Sequence, residues 1–311
     1  MNKLSNKTVL ITGGGGFIGS YLTLALNKKG YRIVVLTKFL PNKRDFPTKV
    51  KFYKIDICSK KLDKIFQKEH PEIIYHLAAY LPKSNIEKSN SNIENIKSNV
   101  LGTLNILELS RKYGIKKIIF SSSAAVYGNP KVFPTPEDYP VKPMFLYGLA
   151  KFTDEKLFEI YYRLYNLHYI IFRYSNVYGP GQKPNKQGSL IANFIDKISR
   201  NKQPIINGKG EQTRDYVYID DVINANFLAM KTNKVGIYNV GGGIEISIND
   251  IFYKICQIFG KEIKPEYNPL VKEKMGRSFL EIKKIKKELN WQPKINIDDG
   301  LKKIINYLRN I

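Results

Sequence analysis

Tyr147 and Lys151 stand four residues apart in Tyr147-Gly-Leu-Ala-Lys151. On a helix that spacing puts both side chains on one face. An ammonium beside a phenol favours the phenolate and lowers the phenol's pKa. A phenol tuned in this way can exchange protons near neutral pH. The spacing also describes an ordinary surface pair, so its weight comes from two other stretches. One is Lys117-Ile-Ile-Phe-Ser-Ser-Ser123, an apolar run that ends in three hydroxyls. The other is Val9-Leu-Ile-Thr-Gly-Gly-Gly-Gly-Phe-Ile-Gly19. Its glycines let a backbone approach a pyrophosphate, and the following helix offers free N–H groups and a positive dipole end. Gly14, Gly16 and Gly19 fit GxGxxG, while Gly13, Gly16 and Gly19 fit GxxGxxG. The alternative, a plain tight turn, is disfavoured by its place between a strand and a helix.

The elements that must position these residues follow in order. Val9–Ile11 and Tyr31–Leu36 are unalternating apolar runs, hence buried parallel strands. With the helix between them they form a β-α-β unit. An Asp or Glu usually ends the second strand, to hold the adenosine ribose. Here Thr37 and Lys38 stand there, with Lys43 and Arg44 close behind. That leaves NAD and NADP evenly matched, since the lysines and arginine are equally readable as solvated charges. Val50–Ile55 is a third strand. Asp56 at its end either accepts from an adenine amino group or caps a helix starting near Lys61. Ile73–Ala79 is a fourth strand and its exit, and His76 within it reads as a satisfied core histidine. Asn99 is polar on an otherwise buried helical face, so a specific hydrogen bond is expected. Ser123, at a strand's carboxyl end, is placed to meet substrate.

Prolines 134, 136, 140 and 143 mark an irregular loop before the Tyr147 helix, which runs to about Tyr165. Tyr169–Arg173 is a sixth strand. From about Asn176 the strand–helix alternation lapses, which predicts a second lobe. Pro204–Val222 reads as a hairpin-like stretch leading to a strand and a helix. Arg214 in it has the donor fork for a diphosphate, or for a salt bridge to Asp215. The remainder is mostly helical.

The 311 residues are 43% hydrophobic, enough for a sizeable core. Cys58 and Cys256 form no metal or redox motif, and free thiols in a reducing compartment are the default. The start reads as lacking a signal peptide, and no apolar run approaches a membrane span. A cytoplasmic protein without membrane contact is expected. The net charge of +24 invites a nucleic-acid reading. The lysines are spread along the whole chain, which speaks for background composition, so no nucleic-acid partner is expected. A basic surface also draws in anionic small molecules.

Together these residues resemble the extended short-chain dehydrogenase/reductase family, in its NAD(P)-dependent nucleotide-sugar epimerase/dehydratase branch. The likeness runs from Thr12–Gly19 through Asp56-Ile57, His76–Ala79, Asn99, Ser121–Gly128, Tyr147 with Lys151, Arg173–Pro180, Arg214–Val222 and Tyr238–Gly243 to Glu288–Pro293. It implies an α/β fold: a Rossmann-type doubly wound parallel sheet with a smaller C-terminal α/β substrate lobe. Residues 1–175, with 217–243 returning, would bind NAD(P). Residues 176–216 and 244–311 would bind the nucleoside-diphosphate sugar. Ser123, Tyr147 and Lys151 would be catalytic. The cofactor would lie against Gly13, Gly16, Phe17, Ile18, Thr37, Lys38, Asp56, Ile57, Leu77, Ala78, Ala79, Asn99, Ser121, Tyr147, Lys151 and Tyr174. The sugar nucleotide would meet Lys83, Ser123, Ala124, Tyr147, Asn176, Asn207, Arg214 and Arg277. No metal is implied. A homodimer through helices around Asn99–Tyr113 and Tyr147–Tyr165 is implied.

Three departures qualify the likeness. Ala124-Ala125 fill the place of the Asp-Glu pair of sugar 4,6-dehydratases, which argues against dehydration. Thr37 replaces the NAD-type Asp. Lys209 stands in a turn where the family commonly has Asp. The resemblance implies a 4-epimerase working through a 4-keto sugar, with a C4 dehydrogenase or 4-keto-sugar reductase as the alternative.

Overall fold

The computed structural model describes residues 7–42, 45–81, 89–184, 189–269 and 276–310. The first half alternates: β1 (Thr8–Thr12), α1 (Phe17–Lys28), β2 (Arg32–Thr37), β3 (Lys51–Lys54), α2 (Leu62–Glu69), β4 (Ile73–His76), α3 (Ser89–Asn95) and α4 (Gly102–Lys112). A π-helical turn, Ile96–Leu101, joins α3 to α4. Then come β5 (Lys117–Ser123), a 3₁₀ turn (Ala124–Tyr127), α5 (Leu146–Tyr165), β6 (His168–Tyr174) and β7 (Asn176–Tyr178). The second half holds α6 (Leu190–Ser199), β8 (Ile205–Asn207), β9 (Thr213–Arg214), β10 (Tyr216–Tyr218), α7 (Ile219–Lys231) and β11 (Gly236–Val240). It ends with β12 (Ile246–Ser247), α8 (Ile248–Phe259), β13 (Glu266–Asn268), α9 (Lys283–Leu289) and α10 (Ile297–Arg309).

Seven strands form one parallel sheet in the order β11-β6-β5-β4-β1-β2-β3. Val9, Leu10 and Ile11 are all fully buried, as helices covering both faces require. One apolar cluster unites α1, β11, α6, α7, α8 and α10 on one side of the sheet. A second cluster fills the other side, between the sheet and α2, α4 and α5. Trp291 fastens the C-terminal segment to α7, its indole N–H donating to the Asp221 carbonyl at 2.9 Å.

The hairpin expected over Pro204–Val222 does not form. Its three short strands pair with distant partners: β8 with β13, β9 with β12 and β10 with β7. The turn between β8 and β9 passes through Gly208 and Gly210, both at positive φ. It redirects the chain instead of folding it back on itself. Among the described residues no helix is long and apolar enough to cross a membrane.

Candidate active site

The sheet order reverses between β1 and β4, and the crevice outside the strands' carboxyl ends opens there. The glycine turn fills its floor. Gly13 sits at φ 71°, and a Cβ there would lie 2.8 Å from the Ala78 nitrogen. A Cβ on Gly19 would lie 2.3 Å from the Gly13 carbonyl oxygen. The turn is thus packed tightly against the exit of β4 and the first turn of α1. Gly16 caps α1 without a side chain, and no acidic residue stands in the first turn. Unpaired N–H groups and an uncompensated dipole end suit a pyrophosphate there, beside Phe17 and Ile18. The cradle fits a dinucleotide.

Thr12 organises the neighbouring wall. Its hydroxyl oxygen accepts from the N–H groups of Leu77 at 3.2 Å and Ala78 at 3.1 Å. Its proton therefore goes to His76 Nδ1, 2.7 Å away. That leaves Nε2–H to donate to Thr103 Oγ1 at 3.0 Å. His76 is a satisfied core histidine, and Leu77–Ala79 are held beside the glycines. Asn99 grips the same loop. Its Oδ1 accepts from Tyr80 N at 2.7 Å and its Nδ2 donates to Tyr80 O at 3.1 Å. This is the specific hydrogen bond the sequence demanded, and it shapes the β4 exit.

At the far end of β2, the Thr37 hydroxyl donates to the Phe39 carbonyl at 3.0 Å. Lys38 pairs with Asp56 at 2.8 Å, and Asp56 also accepts from the Cys58 N–H at 2.8 Å. Asp56 therefore closes its own turn and does not cap α2, whose N-cap is Lys61. Burial acts to raise the Asp56 carboxyl, but the Cys58 and Lys38 hydrogen bonds prevail and hold it low. Ile57 packs where Gly102 has no side chain, since a Cβ at 102 would lie 2.5 Å from Ile57 Cδ1. Lys43, Arg44 and Lys83 lie outside the described residues.

The corner between β5 and α5 brings Ser123, Tyr147 and Lys151 together. Ser123 ends β5, and its oxygen accepts from Ala125 N at 3.2 Å, which fixes the Ala124 turn. Ser123 also hydrogen-bonds the Tyr147 hydroxyl. Tyr147 is in the first turn of α5, whose dipole end favours an oxyanion. A Cβ on Gly128, at φ 69°, would meet the Lys142 carbonyl oxygen at 1.9 Å, so this glycine lets the proline-rich loop reach back to α5. Lys151 is 1% exposed, and its ammonium donates to the Ser121 carbonyl at 2.7 Å. It lies 4.4 Å from the Phe120 ring centroid and 5.9 Å from that of Tyr147.

One expectation is corrected. Burial, with the Asp154 charge behind it, raises the Tyr147 phenol above its ordinary value, despite the Ser123 hydrogen bond. The expected lowering is outweighed, because burial disfavours the phenolate more than the hydrogen bond from Ser123 favours it.

Beyond β6, Asn176 Nδ2 donates to the Asp215 carbonyl at 3.0 Å. Arg214 Nη1 donates to the Thr213 carbonyl at 2.6 Å. Arg214 is not spent on Asp215, whose buried carboxylate accepts from Gly242 N at 2.6 Å and Leu280 N at 3.2 Å. Arg277 reaches the same β9–β12 ladder and stacks 4.4 Å over Phe133. It forms a two-pronged pair with Glu245, both contacts at 2.6 Å. Asn207 ends β8 and accepts from Gln212 Nε2 at 3.1 Å. Tyr174 turns into the core with its hydroxyl bonded to Asn226 Nδ2 at 2.8 Å, so only its backbone faces the crevice end of β6. Glu245 and Asp154 escaped the sequence reading. Their only signals were a lone acid in Gly241-Gly-Gly-Ile-Glu245 and an acid one helical turn past Lys151.

Residues 9–241 match the profile of the NAD dependent epimerase/dehydratase family. The chain belongs to this family. A Methanocaldococcus jannaschii protein, provisionally described as a UDP-glucose 4-epimerase, is 40% identical over 97% of this chain and 98% of its own. The structure of UDP-glucose 4-epimerase from Thermotoga maritima, solved with UDP-glucose, superposes with a TM-score of 0.92. It is 37% identical, covering 97% of this chain and 99% of that one. The Thermus thermophilus UDP-glucose 4-epimerase complex with NAD gives 0.89 at 30% identity, covering 97% and 99%. As a member of this family the protein is an NAD(P)-dependent enzyme built on a Rossmann-type sheet.

Proposed function

We propose that the protein is a UDP-sugar 4-epimerase acting through a 4-keto sugar. The observation that carries this is the Ser123–Tyr147–Lys151 set beside the glycine cradle, with Ala124 and Ala125 where a dehydratase needs an acid and a base. Relatives solved with UDP-glucose and with NAD support the choice of nucleotide and cofactor. Gly13, Gly16, Phe17 and Ile18 would hold the pyrophosphate. Asp56, Ile57, Leu77 to Ala79 and Ser121 would line the rest. The bound dinucleotide supplies the acceptor and donor for the C4 hydride. Tyr147 takes the proton of the C4 hydroxyl and later returns it, while Ser123 holds the same oxygen. Lys151, anchored on the Ser121 carbonyl, would hold the ribose end of the cofactor. Asn176, Arg214 and Arg277 would keep the diphosphate end bound while the sugar turned over. Residues 1–175 with 217–243 serve the cofactor, and 176–216 with 244–311 the sugar nucleotide.

The same site would serve a C4 dehydrogenase or 4-keto-sugar reductase. A panel of UDP-, GDP-, dTDP- and CDP-sugars separates the two. Interconversion of 4-epimers of a UDP-sugar, with no net change in reduced-nicotinamide absorbance, is the expected outcome. Stoichiometric gain or loss of reduced cofactor would overturn it. Tyr147→Phe should abolish turnover.

We also infer a homodimer. Leu149, Ile160 and Leu164 recur along one stripe of α5, eleven and then four residues apart, and are 44%, 38% and 60% exposed. The dispersed lysines fit a cytoplasmic protein with neither nucleic-acid nor membrane partners.

A further inference from the structure

Asp154 lies three residues beyond Lys151 and seven beyond Tyr147 on α5, so the three side chains leave the helix on one face. It is fully buried, and apart from a loose approach to the Thr103 hydroxyl its carboxylate oxygens have no hydrogen-bond partner among the described residues. Such a group needs an account, because an isolated buried carboxylate costs several kcal/mol.

The groups around it are few. From β4 comes His76, whose Nε2 proton is committed to Thr103. From α4 comes Thr103, whose own proton goes to the Asn99 carbonyl at 2.5 Å. In the π-helical turn, Asn99 is spent on Tyr80 and on the Asn95 side chain of α3. On α5 itself, Glu155 is consumed by Arg173 of β6 and by Ser122 of β5. None of these offers Asp154 an opposite charge: Glu155 acts on it only as a like charge, and also helps Lys151 keep its proton. Lys151 does: a buried cation, anchored on a neutral carbonyl and within electrostatic reach of Asp154.

We propose that Asp154 is the fixed counter-charge of Lys151, a positioning residue that cancels the charge Lys151 would otherwise lend to the Tyr147 phenol. The inference rests on the roles of Tyr147 and Lys151 given above. Burial disfavours both charges, and each opposes that loss in the other: the Lys151 charge draws the Asp154 carboxyl down and the Asp154 charge draws the Lys151 ammonium up. The Asp154 charge also opposes ionisation of Tyr147. The pair is thus neutral as a whole, and the phenol stays protonated until another positive charge enters the site.

The sign of the test follows. Removing the Asp154 charge leaves Lys151 uncompensated, so the phenol ionises at lower pH. The ammonium, deprived of its counter-charge, also loses its proton at lower pH. For Asp154→Asn in the cofactor-loaded enzyme, both limbs of the kcat/KM profile on a UDP-sugar should move down by roughly one pH unit. Asp154→Ser, smaller and equally neutral, should show the same shift. The cofactor-free protein gives a second readout. The ultraviolet tyrosinate signal lost in Tyr147→Phe should titrate at lower pH in the Asp154→Asn background. Unmoved or raised limbs would overturn the proposal, and so would a uniform loss of rate, which marks a packing role. Failure of both neutral variants to fold would overturn it too, because an amide or hydroxyl costs less to bury there than a charge. Tyr147→Phe keeps the two ideas apart. If that variant stays active the site reading fails. If it is dead while the Asp154→Asn limbs stay put, this proposal alone fails.

Discussion

Arg173 and Glu155 form a two-pronged ion pair, Nε to Oε1 at 3.0 Å and Nη2 to Oε2 at 2.7 Å, with both side chains buried. The pair ties β6 to α5, and Glu155 also accepts from Ser122, the neighbour of Ser123. Removing one partner leaves the other charge stranded. Glu155→Gln should cost roughly 3–5 kcal/mol of stability. A urea titration at unchanged slope measures it. A cost below about 1 kcal/mol would show that the pair is dispensable to the fold.

His76 gives a pH signature. Burial, helped by the Lys151 charge, pushes it from 6.5 down to about 3. The unfolded chain therefore binds a proton that the folded chain refuses. The stability this histidine contributes is full above its unfolded pKa and falls as pH drops from 6.5 towards 3, by up to about 1.4 kcal/mol per pH unit. His76→Gln removes that proton from the balance, whatever it does to absolute stability. The pH dependence of its unfolding free energy should be shallower than wild type across this window. Parallel curves would refute a neutral buried His76.

Glu245 competes with the proposed diphosphate for Arg277. The Glu245 carboxylate holds the guanidinium in the two-pronged geometry a phosphate would use. The Arg277 side chain is 54% exposed, so the pair is weak in net terms. Glu245→Gln should lower KM for the UDP-sugar by roughly two- to five-fold with kcat unchanged. An unchanged KM would place Arg277 outside the diphosphate site.

Sequence patterns exposed the parts of this site that local chemistry dictates. The glycine turn is legible because few other residues can occupy Gly13 at positive φ against Ala78. Tyr147 and Lys151 are legible because helical spacing aligns them. The pairings of β8, β9 and β10 were not, since each two- or three-residue strand finds a partner far along the chain. The ionisation of Tyr147 is not legible for a similar reason. The Tyr-Lys spacing reports the attraction between the two groups, but the burial that outweighs it belongs to the folded surroundings and not to the helix alone.

The contact between Gly102 and Ile57 has a mechanical meaning. Asn105 of α4 also donates to the Ile57 carbonyl, at 2.6 Å, so the helix is bolted to this loop twice. α4 in turn packs against α5, which carries the exposed apolar stripe on its other side. The Asp56–Cys58 loop and the outer face of the helix pair are thus opposite surfaces of one packed layer.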